Sequence, residues 1–170
     1  MEKIKELFKK NREIIMYIIF GVLTTIVSLI SYYAILFGGM AIFSIEGELA
    51  AGYVAVYTVA KVVSWILAVT FAFFTNKWFV FEDKAGGVAK ITKQYVLFAA
   101  SRLATFGLDF LINLGLVWLL TWANLTFLDG FMGFSLEKIN NITATLVAQV
   151  VVLIGNYIIS KLLVFRKKKN

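Results

Sequence analysis

Long apolar runs separated by short charged stretches organise this chain. They cover residues 14–37, 49–75, 95–120 and 142–160. Isoleucine, valine, leucine, phenylalanine and alanine dominate each run, and polar and apolar positions do not alternate. A bilayer core about 30 Å thick is crossed by about 20 helical residues. Lipid also requires each segment to satisfy its own backbone hydrogen bonds, which a helix does. Strands of a barrel would be about 10 residues long and would alternate. The first run is too long for a cleavable signal peptide, and no small-residue cleavage pattern follows it, so it is expected to remain as a span. The pattern predicts an all-α polytopic membrane protein. It has four transmembrane helices in one domain over residues 1–170.

The charges orient these helices. Lys3, Lys5, Lys9, Lys10 and Arg12 precede the first run. Lys77, Lys84, Lys90 and Lys93 lie between the second and third. Lys161, Arg166, Lys167, Lys168 and Lys169 follow the fourth. The other connections carry Glu46 and Glu48, then Asp129, Glu137 and Lys138. Basic residues stay on the cytoplasmic side. Both termini and the middle loop are therefore expected in the cytoplasm, in the cell membrane. The net charge of +7 then reads as topology and as attraction to anionic lipids, not as a nucleic-acid surface. In the middle loop, Gly86–Gly87 is the clear flexible element. In the last connection, residues 127–137 read equally as an interfacial amphipathic stretch or as a plain loop.

Composition supports this picture. Apolar residues make up 61% and charged residues 16% of the chain, against about 25% charged in soluble domains. Cysteine, histidine and proline are absent. No disulfide, thiol or histidine chemistry is available, and no metal or cofactor site is expected. No nucleophile–base pair, carboxylate pair or phosphate-cradling loop stands out, so the chain is not expected to be an enzyme.

The two halves repeat. "YIIFG" at 17–21 matches "YVLFA" at 95–99, and Lys77–Phe81 matches Lys161–Phe165. Each hairpin starts and ends on the basic side, which predicts a parallel repeat.

Each run also carries a polar or small stripe at spacings of three and four, hence on one helix face. The stripes are Tyr17, Gly21, Thr24, Ser28 and Ser31; Tyr57, Lys61, Ser64, Ala68, Ala72 and Thr75; Arg102, Thr105, Asp109 and Asn113; and Thr145, Gln149, Val152, Asn156 and Ser160. Small residues let helices approach. Charge inside a span is costly and turns to the bundle interior or to water. Lys61 lies about 24 Å along the axis from Lys77, and Asp109 about 21 Å beyond Tyr95. The two are at comparable depth, and two readings stay open. Lys61 and Asp109 form a structural ion pair while Arg102 snorkels to the interface, or Lys61, Lys77 and Arg102 line a path for an anion. Arginine suits phosphate, since its donors form a rigid fork.

The endings carry a family resemblance. Asn76, Lys77, Trp78, Val80 and Phe81 close the second run. Asn156, Ser160, Lys161, Val164 and Phe165 close the fourth, and Phe20–Gly21 stands in the first. In this order over about residues 14–166, they resemble the GtrA-like family of small four-span membrane proteins. Thr24 stands where that family usually has asparagine. The resemblance implies translocation of a polyprenyl-phosphate-linked sugar between leaflets, for glycosylation of cell-surface polysaccharide or teichoic acid. On that basis Lys77 and Lys161 are expected to gather the phosphate, and Arg102 and Lys61 to hold it further along. Asn76, Asn113, Gln149 and Asn156 are expected to bind sugar hydroxyls, and Asp109 to hold a base or touch the sugar. Expected partners are the lipid-linked sugar, anionic lipids, a membrane glycosyltransferase and a second copy of the chain. The alternatives are a non-transporting subunit that scaffolds a transferase and a small exporter of another amphipathic ion.

Overall fold

The computed structural model describes residues 2–45, 52–84, 86–123, 129–130 and 133–165. Among these, α1 spans Glu2–Ile42, α2 Tyr53–Thr75, α3 Val88–Ala123 and α4 Leu136–Ile159, and there is no strand. The portions long and apolar enough to cross a membrane are Lys10–Ile42, Tyr53–Val80, Val88–Ala123 and Leu136–Val164. Three of these helices extend past their apolar runs at both ends, because polar flanks continue a helix once an apolar core has nucleated it; the second begins at Tyr53, after Gly52, and not at residue 49. Glu46 and Glu48, Phe127, Leu128, Phe131 and Met132, and Arg166–Lys169 lie outside the described residues, as do the side chains of Lys3, Lys5 and Lys9.

The chain forms two compact units, Met1–Tyr95 and Val96–Asn170. The division falls at Tyr95, where the sequence repeat begins again.

In the first unit α1 packs along α2. Asn11 breaks the helical dihedrals of α1 at φ −108° and ψ 16°, which separates the basic first turns from the apolar span. Gly52 begins α2 at φ +92°, a backbone conformation that glycine adopts without a Cβ clash. The buried face of α2 runs through Ala60, Ser64, Ala68, Ala72, Phe73 and Thr75, so the expected small-residue stripe is the packing face from Ser64 onward. Phe73 is fully buried and meets Tyr95 edge-on, with centroids 5.3 Å apart. The Tyr95 hydroxyl lies 2.8 Å from that of Thr70. At the far end, a Cβ added to Gly39 would stand 2.6 Å from Cγ1 of Val56. Valine is stiff at χ1 and cannot swing aside. Gly39→Leu is therefore expected to cost about 1–3 kcal/mol by overpacking. Thermal unfolding in detergent checks this, with Gly38→Leu as the control, since a Cβ at Gly38 meets nothing.

In the second unit, the buried positions of α4 are Asn140, Ala144, Ala148 and Asn156. The stripe expected through Thr145 and Gln149 instead runs one residue earlier, through Ala144 and Ala148, and Gln149 is exposed. Alanine wins these positions because close helix approach needs a small side chain. Asp129 caps the start of α4, its Oδ1 accepting from the Leu136 amide at 2.9 Å.

Candidate functional site

Both repeat endings are π-helical turns. Asn76–Val80 continues α2 and Ser160–Val164 continues α4. The Phe81 amide donates to the Asn76 carbonyl at 2.9 Å, and the Phe165 amide to the Ser160 carbonyl at 2.8 Å. Widened turns of this kind are rare and cluster at functional sites. In each, the closing valine and phenylalanine are buried: Val80 and Phe81, Val164 and Phe165. The aromatic residue from each half's first helix also touches its ending, though at different positions. Phe20 stacks on Phe79 at 5.3 Å, and Phe98 lies 6.1 Å from Phe165. The shared lysine–phenylalanine spacing therefore encodes a shared backbone turn. Structurally the partner of Asn76 is Ser160, one residue before each lysine. Asn76 Oδ1 and Ser160 Oγ are both buried with no hydrogen-bond partner among the described residues. An orphaned buried polar atom costs about 1–3 kcal/mol, so two at equivalent positions call for a reason.

The two lysines then diverge. Lys77 is buried, its side chain 3% exposed. Its Nζ donates to Asp83 Oδ2 at 2.8 Å and to Gln94 Oε1 at 2.9 Å. Gln94 Nε2 closes the ring by donating to Asp83 Oδ2 at 2.7 Å. The backbone bends to make this possible. The Asp83 amide reaches back to the Lys77 carbonyl at 2.7 Å, around Glu82 at φ +49°. Arg12 pairs with Glu82 from α1. This fixes the start of the loop, and Gly86–Gly87 stands at its end, directly before α3. A pocket of about 460 Å³ lined by Lys77, Trp78, Glu82, Asp83 and Lys84 opens here. Lys161, in contrast, is exposed, and its Nζ lies 3.0 Å from the Tyr157 hydroxyl and 5.3 Å from that ring's centroid. Six residues after Lys77 stands Asp83; six after Lys161 stands Lys167. The acid that binds Lys77 thus has no counterpart at the equivalent position after Lys161.

Further along the first unit, Lys61 is exposed and lies against tyrosine. Its Nζ is 4.3 Å from the Tyr32 centroid and 5.5 Å from that of Tyr57. Of the expected pair with Asp109, the lysine belongs to the first unit and the aspartate to the second.

In the second unit the row on α3 meets α4 through side chains. The Thr105 hydroxyl donates to Asn156 Oδ1 at 2.9 Å, both groups buried. Asn113 Nδ2 donates to Thr145 Oγ1 at 2.9 Å. The Arg102 guanidinium carbon lies 4.6 Å over the Phe98 ring. A pocket of about 260 Å³ is lined by Phe106, Asp109, Phe110, Asn113, Leu114, Val117 and Asn141. The second unit thus gathers Asp109 and Asn113 at one pocket, with Asn156 tied to Thr105 on the same pair of helices. Asp83, Gln94, Tyr32 and Thr105 take part without having been expected as site residues. Nothing in the spacing alone marks Gln94, because its partner comes from a turn only the backbone reveals.

Residues 16–165 match the GtrA/DPMS transmembrane domain. The chain belongs to that family. The matched stretch holds both π-helical turns and every expected site residue. This GtrA/DPMS chain is similar to an uncharacterized membrane protein, YwcD, of Bacillus subtilis. The two are 32% identical over 154 residues, covering 91% of this chain and 97% of that protein. It is also similar to the cell wall teichoic acid glycosylation protein GtcA of Listeria monocytogenes serovar 1/2a, 24% identical over 169 residues and covering 99% and 95% of the two chains. GtcA of Listeria innocua is 26% identical over 156 residues, covering 92% and 86%. No solved structure matches. With its four membrane-length helices, this GtrA/DPMS chain is a multi-pass membrane protein.

Proposed function

We propose that the chain carries a polyprenyl-phosphate-linked monosaccharide from the inner to the outer leaflet of the cytoplasmic membrane, for glycosylation of a cell-surface polymer. The observation that carries this reading is the charge held within the apolar runs of the membrane-length helices: Lys61 in α2, and Arg102 and Asp109 in α3. Charge at such depth is expensive and is kept for function. Two bases to one acid favour an anionic cargo. The relatives named for teichoic acid glycosylation point to the same chemistry. A lipid phosphosugar needs only its head to cross hydrocarbon, since its tail stays in lipid. In this scheme Lys161, exposed at its turn, meets the phosphate at the inner surface. Lys77, already bound to Asp83, holds the other turn together and gives up its carboxylate only in exchange for phosphate. Arg102 and Lys61 take the phosphate further along. The buried Asn76 and Ser160 oxygens, with Asn113, Gln149 and Asn156, serve sugar hydroxyls, while Asp109 orients a base or the sugar. The chain performs no bond-making step. It supplies a polar route and acts beside a glycosyltransferase.

Complementation tests this role. In a Listeria strain lacking GtcA, the chain is expected to restore sugar on wall teichoic acid, read by compositional analysis. Arg102→Ala, present at equal level in the membrane, is expected to restore less than a tenth of it, since losing a charge-assisted contact costs about 2 kcal/mol or more. Equal restoration by both forms would point to a scaffold.

A further inference from the structure

Tyrosines crowd the outer half of the first unit. Tyr32 meets Tyr33 edge-on at 5.0 Å and Tyr57 at 6.1 Å and 90°. Tyr53 stacks on Tyr57 at 6.0 Å, and Tyr33 on Phe37 at 5.6 Å. Tyr32 lies about 15 Å before the end of α1 and Lys61 about 12 Å into α2, which puts them at one depth. The cluster is open: Tyr33 is 49% and Tyr57 37% exposed.

Lys61 completes it. Among the described residues its ammonium makes no ion pair or hydrogen bond; its contacts are the faces of Tyr32 and Tyr57. A cation–π contact contributes about 0.5–2 kcal/mol, well short of hydrating an ammonium inside a span. Tyrosine faces hold the cation in place and leave its three donors for an anion. An aromatic ring also has an electronegative face. A pyranose ring presents C–H bonds on one face and hydroxyls at its rim. A tyrosine suits both, with a ring for the C–H face and a hydroxyl for the rim.

We propose that Tyr32, Tyr57 and Lys61 form a glycosyl-phosphate site in the outer half of the first unit, where a hexopyranose stacks on Tyr57 and its phosphate binds Lys61, held in position by Tyr32. This rests on the translocation reading and adds to it. It gives α1 and α2 a ring-stacking contact to the sugar, in addition to the hydroxyl contacts assigned to the polar residues of α3 and α4. The site would favour sugars with an uninterrupted C–H face and would hold the head after it has crossed.

The test is calorimetric titration of the full chain in detergent with two probes: a ten-carbon isoprenyl phosphate bearing glucose, and the same phosphate without sugar. The wild type is expected to bind the glucose-bearing probe about tenfold more tightly, the equivalent of about 1.4 kcal/mol. Tyr57→Leu should remove that ratio, and Tyr57→Phe should keep most of it. Lys61→Met should weaken both probes about tenfold and leave the ratio intact. Tyr57 and Lys61 are exposed, so neither change leaves a buried cavity, and circular dichroism confirms folding. A ratio of one in the wild type, a ratio kept by Tyr57→Leu, or no loss with Lys61→Met would overturn the site. Leaflet exchange measured on the same preparation separates the two claims. Exchange without the ratio sinks the site and leaves translocation standing, and the ratio without exchange does the reverse.

Discussion

Asp83→Ala is expected to destabilise the protein by about 3–5 kcal/mol, because it strands Lys77 as a buried charge. Lys77 is held by two acceptors, and only Asp83 carries the compensating charge. Gln94 would remain as a neutral acceptor, but its own amide would lose its partner on Asp83. For a chain of this length the loss corresponds to a fall in Tm of roughly 10 °C or more. Circular dichroism melting in detergent reads it. The double change Lys77→Met with Asp83→Leu is expected to recover most of the loss, since apolar pairs replace buried ion pairs at little cost. An unchanged melt for Asp83→Ala would mean that the ring of three side chains adds nothing to the fold.

Arg102→Ala is expected to do the opposite: large loss of transport, small loss of stability. The side chain is part-exposed and lies over Phe98, so its removal opens no sealed cavity. Its position, about 10 Å past Tyr95 along α3, suits a group that meets phosphate just inside the membrane. Transport is expected to fall about 10- to 100-fold, the range for losing one hydrogen bond to a charged group, about 1.5–3 kcal/mol. Arg102→Lys should retain part of the rate, because the charge remains and the planar fork is lost. Melting within a few degrees of wild type, measured beside the rate, separates lost transport from lost fold.

Much of the architecture was legible in the chain. Apolar runs of span length leave few alternatives, and the four membrane-length helices contain or closely follow those runs. The stripe from Ser64 to Thr75 was legible because small residues at helical spacing are what a packing face needs. On α4 the same logic slipped by one residue. Thr145 and Gln149 are the polar positions, yet packing selected Ala144 and Ala148 for their size. The matched endings were visible as a spacing, but their meaning was not. A π-helical turn has no propensity signature, and the pairing of Asn76 with Ser160 follows from hydrogen bonds at Phe81 and Phe165. Burial of Lys77 was not legible: the expectation puts it at the inner surface beside Lys161, and both Asp83 and Gln94 reach it through the fold of the loop. Of the two tyrosines against Lys61, Tyr57 stands in the same polar stripe, whereas Tyr32 on α1 has no spacing that ties it to Lys61; only the distances show the cluster.

The central claim is that this chain alone lets a lipid-linked sugar change leaflets. The most direct measurement reconstitutes the purified protein in liposomes containing a labelled polyprenyl phosphate sugar and follows how fast the inner-leaflet label reaches an impermeant reagent outside. Full access of the label, at a rate proportional to protein and slowed by Arg102→Ala and Lys61→Ala, is the predicted result. Label that stays half protected, as in protein-free liposomes, across several sugar head groups would contradict the account and leave a supporting role beside a transferase.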